Sequence, residues 1–497
     1  MQIESYRTRL EEFEQNLNRE LYRHYSGLKD RLDLAAVYSD YSDLFSIESI
    51  REVKSELEKT AESFSSRRKS LKKIHDFLID QYLDYRVSPL TQEIARLDAE
   101  KKVMWEGREV FLSQVLSLLR DEPDASKRHQ LGQRYAQALR DSEEIRYERL
   151  KLRHSAAKTL GFKDYVEARE SVSGIDYRRL LESFDAVLHS LDASYLDQLR
   201  TSIEAILRIP FQEAVSWDVT RWQRRNDHES VFSEKNLLPV MEAAVSELGI
   251  EAELPGAITL DLERRPLKQA RPFCIPIRVP QEIRIVMRPE NGASQYGALL
   301  HECGHAHHFA WTSSSLPLEH RIWGDRALSE SFGFLFEHFL LERSWLIRML
   351  SFSRTEEYLR FQFLFRAFLV RRCAGKLRFA LKLHEEESFD EIPGIYSETM
   401  KAYTGLSHPG ESWLADPADG FEAADYLRGW IFESMLREYL ETRFGRMWAQ
   451  SRSATGFLKE IWETGQLYSA DELCREIGIG KLEPQILADE LAEGLRY

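Results

Sequence analysis

Two histidines, His301 and His305, stand four residues apart, and Glu302 directly follows the first of them. Residues four apart lie one turn apart on the same face of an α-helix, so both imidazoles can reach a single metal ion. Glu302 is then placed to take a proton from a metal-bound water. This spacing predicts a zinc hydrolase site, and such sites are most often those of peptidases.

A pair of helical histidines can also be a purely structural feature. Leu299 and Leu300 precede the motif and Phe309 follows it, which predicts a buried helix over residues 294–311. An unligated pair of imidazoles would be costly there. Gly304 lies inside this helix at a cost of about 1 kcal/mol relative to alanine, which indicates that another segment packs closely against it. We therefore expect a metal site.

A catalytic zinc needs a third protein ligand and an open position for water. Glu330 and Glu337 lie seven residues apart in a segment whose apolar residues follow helical spacing, so the two carboxylates share one face. We expect Glu330 to be the third ligand. Glu337 or Asp325 is expected to hydrogen-bond a ligand histidine. An ordinary salt bridge is the alternative for Glu337.

The pattern His-Glu-x-Gly-His-x-x-His at residues 301–308, followed by Glu330, resembles the thimet oligopeptidase and oligoendopeptidase F family of zinc metallopeptidases, the gluzincins. Residues 160–165, 217–218 and 261–274 are similar to segments of the catalytic half of that family. The resemblance implies a mainly α, neurolysin-like fold in which helices enclose a channel. It also implies a small β-hairpin or sheet beside the zinc helix.

The resemblance further implies one Zn²⁺ per chain, bound by His301, His305 and Glu330, and a short, unfolded peptide as substrate. Zinc would make its bound water acidic, and Glu302 would act as general base and then protonate the leaving amine. These expectations describe a zinc metalloendopeptidase, or oligopeptidase.

The sequence departs from the family pattern near its C-terminal end. There the family has a histidine and two tyrosines that stabilise the transition state. An ungapped comparison places Asp416 at the histidine, and Asp425 and Arg428 at the tyrosines. A shift of one residue brings Tyr426 to the oxyanion-stabilising position, and His408 could replace the missing histidine. The nearby carboxylates could instead favour a substrate with a cationic group.

Two other functions are compatible with the sequence. A carboxypeptidase of the Taq type would need a cation for the free carboxylate of its substrate, for which Arg428 and Arg264 are candidates. A non-catalytic helical binding protein would keep the metal as a structural element. The intact Glu302 argues against the second function, because a structural site needs no base.

The composition excludes some classes of partner. The 497-residue chain has a formal net charge of −14, which disfavours nucleic acid. No run of 18 apolar residues occurs, the N-terminus has no apolar signal segment, and four cysteines are dispersed. We expect a cytoplasmic protein with no membrane partner. The sequence does not indicate an oligomeric state.

Proline and glycine placement predicts two parts. The family resemblance implies that residues 1–150 form an N-terminal helical wall or lid, and residues 151–497 the catalytic domain. The catalytic part is expected to contain a β element at about 255–289, with a proline-bearing edge strand that could bind an extended peptide, and C-terminal helices over 421–497. Amphipathic helices are predicted over the segments 1–26, 50–85, 91–120 and 126–170.

Overall fold

The structure, a computed structural model, describes residues 3–224, 228–250, 257–385, 391–416 and 420–496. In these residues the chain is mainly α-helical, as predicted. The helices are α1 (Ile3–Tyr25), α2 (Leu34–Ser39), α3 (Ile47–Lys59), α4 (Ser65–Glu100), α5 (Leu112–Asp121), α6 (Ala125–Arg140), α7 (Glu143–Thr159), α8 (Tyr165–Ser173), α9 (Tyr177–His189), α10 (Asp192–Leu207), α11 (Val219–Arg224), α12 (Glu234–Glu247), α13 (Ala293–Trp311), α14 (Leu318–Arg321), α15 (Arg326–Glu337), α16 (Arg343–Leu350), α17 (Thr355–Glu385), α18 (Ile392–Thr404), α19 (Glu422–Phe444), α20 (Arg452–Glu463), α21 (Ala470–Glu476) and α22 (Pro484–Gly494).

The described residues also form two small sheets. The first is an antiparallel hairpin of two strands, and the second has three strands in the order β3–β5–β4, with β3 parallel and β4 antiparallel to β5. The strands are β1 (Lys102–Trp105), β2 (Arg108–Phe111), β3 (Ile258–Asp261), β4 (Phe273–Arg278) and β5 (Glu282–Val286).

The prediction of a helix over residues 91–120 is wrong for the middle of that segment, where β1 and β2 form the first hairpin. Its two-residue turn, Glu106 and Gly107, has positive φ angles of 47° and 79°, the geometry that matches the twist of a hairpin. The segments 50–85 and 126–170 are helical but are divided, into α3 and α4 and into α6, α7 and α8.

The hairpin expected near the zinc helix is present as β4 and β5, and its proline-bearing strand β4 lies at the sheet edge. Helix α1 runs beside this edge, where the Asn18 side-chain amide donates to the carbonyl of Pro276 at 3.0 Å. Sequence analysis missed β3. Strand addition by a peptide at this edge stays a prediction.

One large cluster of buried apolar side chains joins the two predicted parts. It contains Leu10 of α1 and Leu78 of α4 together with Leu377 of α17 and Leu491 of α22. The proposed boundary at residue 150 therefore crosses a continuous core, and the division into a wall and a catalytic domain stays a prediction. None of the helices in the described ranges is both long and apolar enough to cross a bilayer.

A second buried cluster surrounds α13 and α15 and fixes their positions. Leu299 and Leu300 on α13 are 1% and 2% exposed, and Phe332 and Leu335 on α15 are fully buried. The apolar faces that sequence periodicity predicted for both helices therefore pack into this cluster.

Candidate metal centre

Helix α13 places the two histidines of the motif on one face. Nε2 of His301 lies 3.0 Å from Nε2 of His305. The helix spans Ala293–Trp311, within one residue of the predicted range, and is mostly buried. Both rings therefore present a nitrogen to the same point.

Helix α15 brings the third donor to that point. It begins after Asp325, whose carboxylate accepts a hydrogen bond from the backbone amide of Ala327 at 3.1 Å. Oε2 of Glu330 lies 3.3 Å from Nε2 of His301 and 3.6 Å from Nε2 of His305. The three donor atoms all lie within 4.8 Å of one another.

The donor set has the chemistry of a zinc site. Oε2 of Glu330 is buried and has no hydrogen-bond partner among the described residues. Burial raises the pKa of this carboxyl, but His305 and His301 outweigh that effect and hold its pKa well below its usual range. An ionised carboxylate beside two imidazole nitrogens is a common set of three ligands for catalytic zinc. The residues present therefore fit the metal.

Two further side chains contact the histidines on the side away from this point. Oε2 of Glu337 lies 3.3 Å from Nδ1 of His301, and the hydroxyl of Ser329 lies 2.8 Å from Nδ1 of His305. Of the two carboxylates expected to contact a ligand histidine, only Glu337 does so. Sequence analysis missed Ser329, although its place next to Glu330 put it on the correct helix.

Asp325 has a different role from the one considered. Both its carboxylate oxygens accept hydrogen bonds from Arg428, at 2.6 and 2.7 Å, and one also accepts from the amide of Ala470 at 2.9 Å. This carboxylate therefore links the start of α15 to α19 and α21 through hydrogen bonds and does not orient a histidine.

Glycines allow the three helices of the site to approach each other closely. A Cβ atom on Gly304 would lie 2.1 Å from the carbonyl oxygen of Phe332, so the close packing expected at Gly304 is present. A Cβ on Gly333 would lie 2.7 Å from the His301 ring, and one on Gly429 of α19 would lie 2.9 Å from Cβ of Glu330. Larger side chains at these positions would push the ligands apart.

One of the three donor residues, His301, lines a cavity of about 680 Å³. Its lining includes His301, Glu302 and Tyr426, together with residues of α17. Tyr426 projects from α19, and its hydroxyl accepts a hydrogen bond from Arg271 at 3.1 Å. Arg271 and Pro272, which directly precede β4, also line this cavity, so the segment before the edge strand and α19 meet there.

The charge of Glu330 affects the pKa values of both Tyr426 and Arg271. Burial, and next Glu330, raise the pKa of Tyr426 to about 12, although Arg271 acts in the opposite direction. The pKa of Arg271 is raised by Tyr426 and further by the carboxylates of Glu302 and Glu330. Tyr426 is therefore a neutral phenol that can donate a hydrogen bond.

The structure does not bring His408 to the cavity lining. His408 is buried, and its Nε2 lies 3.1 Å from the hydroxyl of Thr404. Its ring packs edge-on against Tyr396, with ring centres 6.1 Å apart. The expected catalytic role of His408 therefore has no support in its position, because the loop folds inwards against α18.

Asp416 and Asp425, which the sequence comparison placed at a family histidine and a family tyrosine, lie in different surroundings. Asp416 lines the cavity, where Arg372 and Lys376 contact it. Asp425 does not line the cavity, and burial and the neighbouring Asp325 and Glu422 raise its pKa to about 7, against the effect of two arginines.

Neither arginine considered for a carboxypeptidase lines the cavity. Arg428 is buried and bonded to Asp325 and Asp471. Arg264 is exposed outside the cavity and bonds Glu234 at 2.7 Å and the carbonyl of Pro289 at 2.9 Å.

The fold matches those of known peptidase structures. No family model and no curated protein matches the sequence. A protein provisionally named oligoendopeptidase F has a TM-score of 0.72 at 15% identity, over 99% of this chain and 90% of that one. PZ peptidase A with an inhibitor has a TM-score of 0.71 at 16% identity, over 96% and 88%. A provisionally named oligoendopeptidase F from Bacillus anthracis str. Ames has a TM-score of 0.64 at 18% identity, over 96% and 85%.

The chain has the oligoendopeptidase F fold. The mainly α architecture implied by the sequence resemblance is therefore confirmed over almost the whole chain. At these identities the likeness concerns the fold.

Proposed function

We propose that this protein is a zinc-dependent metallopeptidase that hydrolyses short, unfolded peptides at internal bonds. The observation that carries the proposal is the convergence of the donor atoms of His301, His305 and Glu330 within 4.8 Å, beside a large cavity that His301 and Glu302 line. The likeness of the fold to two oligoendopeptidases and PZ peptidase A supports a peptide substrate.

The roles of the protein groups follow from their positions. His301, His305 and Glu330 would hold zinc, which when bound supplies a Lewis acid and makes water acidic at neutral pH. Glu302 takes the proton of the attacking water and delivers it to the leaving amine. Tyr426 donates a hydrogen bond to the carbonyl oxygen of the scissile bond as that oxygen gains negative charge.

Arg271 acts on Tyr426 instead of on the substrate bond. Its guanidinium donates to the phenol oxygen at 3.1 Å, which leaves the phenol proton free to point elsewhere. The pKa of about 12 keeps that proton in place throughout the neutral pH range. Arg271 is thus a positioning residue in the proposed mechanism.

The proposal is tested by metal content together with peptide cleavage. We expect one zinc per wild-type chain and internal cuts, found by mass spectrometry, in a mixed library of short peptides. Glu330→Ala should lose the zinc. Glu302→Gln should keep the zinc and lose cleavage. Glu422→Gln, which alters another carboxylate of the cavity lining, should keep the zinc.

Each result discriminates between the functions. Zinc retained by Glu330→Ala would contradict the ligand set, and undiminished cleavage by Glu302→Gln would eliminate the proposed base. One zinc with no cleavage would favour the metal-containing binding protein. Release of single C-terminal residues alone would favour the carboxypeptidase.

A further inference from the structure

A pair of cations faces the cavity from the long helix α17. Arg372 and Lys376 lie four residues apart, one turn along the helix, and both line the cavity together with His301 and Glu302. Their side chains are 31% and 18% exposed. They are therefore accessible from the cavity but partly shielded from bulk water.

Only one carboxylate among the described residues neutralises this pair. Arg372 contacts Oδ1 of Asp416, and the Lys376 ammonium lies 2.9 Å from the same atom and donates to the Asp416 carbonyl at 2.6 Å. The hydroxyl of Tyr396 donates to Oδ2 at 2.8 Å. Two positive charges thus share one negative charge, and the cluster has a net charge of +1.

Asp416 is ionised at neutral pH, as this charge count requires. Burial raises its pKa, but Arg372 and Lys376 dominate and hold the pKa well below its usual range. Burial, and next Arg372, lower the pKa of the Lys376 ammonium, against the effect of Asp416. Because its own neighbours neutralise Asp416, this carboxylate does not support the cationic substrate group that the sequence left open. The surplus charge on this wall of the cavity is positive.

The pair lies close to the proposed reacting groups. Cys373, between the two cations in sequence, lines the same cavity. His301 and Glu302 line it as well. A peptide bound in this cavity beside Glu302 would therefore share the cavity with Arg372 and Lys376.

The guanidinium of Arg372 retains donors for a ligand. Arginine has five N–H donors. Within the described residues, Nη2 of Arg372 donates a hydrogen bond to Asp416. A planar fork of this kind suits a carboxylate.

We propose that Arg372 and Lys376 form a subsite for a carboxylate of the peptide substrate, either its C-terminal carboxylate or an acidic side chain. This proposal rests on the proposed peptidase function and adds a substrate class to it. A C-terminal carboxylate at this subsite would give cleavage at a set distance from the peptide end, whereas an acidic side chain would give a sequence preference.

The test uses matched peptides built on one sequence that the protein cleaves. In one pair the C-terminus is a free carboxylate or a carboxamide. In the other pair a residue is Glu or Gln, placed in turn at each position while both ends are blocked. We expect kcat/KM for the carboxylate member of at least one pair to be about tenfold higher, corresponding to about 1.4 kcal/mol. The pair that responds identifies the source of the carboxylate.

Two substitutions in the same ion pair should act in opposite directions. Lys376→Met removes the surplus positive charge, so the ratio of kcat/KM for the carboxylate peptide to kcat/KM for its neutral partner should fall towards one. Asp416→Asn removes the negative charge, so the same ratio should increase. If the ion pair were only structural, both variants would slow the two peptides equally and leave their ratio unchanged. Arg378→Gln is the matched control. Arg378 belongs to α17, as Arg372 and Lys376 do, but it lies outside the cavity lining and forms an ion pair with Asp185 of α9.

The outcomes separate this proposal from the proposed function. A wild-type ratio near one in every pair, with both members cleaved, would overturn the carboxylate subsite and leave the peptidase function intact. Movement of the ratio in the same direction by Lys376→Met and Asp416→Asn would also overturn it. If Asp416→Asn does not fold, the wild-type and Lys376→Met ratios decide. No cleavage of any peptide by the zinc-loaded protein would overturn the proposed function and this inference with it.

Discussion

The Glu337 carboxylate lies 3.3 Å from Nδ1 of His301, on the opposite side of the ring from the nitrogen that faces Glu330. The two carboxylates come from one helix, α15, two turns apart. A single helix thus supplies a metal-ligand candidate and the group that orients another ligand.

We predict that Glu337→Gln weakens zinc binding about 10- to 100-fold, because a carboxylate on the far nitrogen fixes the ring and makes its metal-binding nitrogen more basic. Zinc affinity measured by competition with a chromogenic chelator tests this. Glu356→Gln is the control, since Glu356 is an exposed carboxylate paired with Arg343 on the protein surface. Equal zinc affinities for Glu337→Gln and the control would contradict the orienting role.

The parts of the site that sequence analysis predicted are those that lie close together in the chain. His301 and His305 share one helix, and the spacing to Glu330 places it on the next long one. Local periodicity therefore sufficed for the candidate ligands, and glycine inside a helix sufficed to predict close packing at Gly304.

The parts that sequence analysis missed depend on how remote helices meet. Arg271 and Tyr426 are 155 residues apart in sequence, yet they form one hydrogen bond. Asp416 forms ion pairs with Arg372 and Lys376, which belong to a different part of the chain. No spacing rule relates such residues, because the contact is set by the packing of α17 against the loop after α18.

We predict that Gly304→Ala destabilises the protein, because its Cβ would lie 2.1 Å from the carbonyl oxygen of Phe332 and a backbone atom cannot easily yield. Overpacking of this kind costs about 1–3 kcal/mol. Gly456→Ala on α20 is the matched control, since nothing lies within 4 Å of its Cβ position. That change should stabilise the protein by about 0.5–1 kcal/mol. Denaturant unfolding at one zinc concentration measures the free energy of unfolding of both variants. Equal changes from the wild-type value in the two variants would contradict the prediction.

We predict that Tyr426→Phe lowers kcat about 100- to 1000-fold, as the loss of one oxyanion donor does elsewhere. KM and zinc content should change little, because the phenol would act on the developing charge. Since the pKa of Tyr426 is about 12, the shape of the pH profile below pH 10 should be the same in both proteins. Tyr403→Phe is the control, because Tyr403 bonds Asp185 outside the cavity lining. An unchanged kcat in Tyr426→Phe would exclude it as a donor.

We predict that Asp425→Asn increases stability at pH 8 more than at pH 5. The folded-state pKa of about 7 lies above the value of about 3.9 for an unperturbed aspartate, with burial as the main cause. Between these values the folded chain holds a proton that the unfolded chain has lost, so the free energy of unfolding decreases as the pH rises from about 4 to about 7. Asparagine stays neutral and avoids this decrease.

Melting temperatures of the wild type and Asp425→Asn at pH 5 and pH 8 measure the effect. Asp489→Asn is the control, because Asp489 is an exposed residue of α22 that accepts a hydrogen bond from Gln485. A difference between Asp425→Asn and the wild type that is the same at both pH values would mean that the carboxyl of Asp425 does not titrate in this range. The buried carboxyl would then be ionised in the folded protein at pH 5, with Arg326 and Arg428 outweighing the effect of burial.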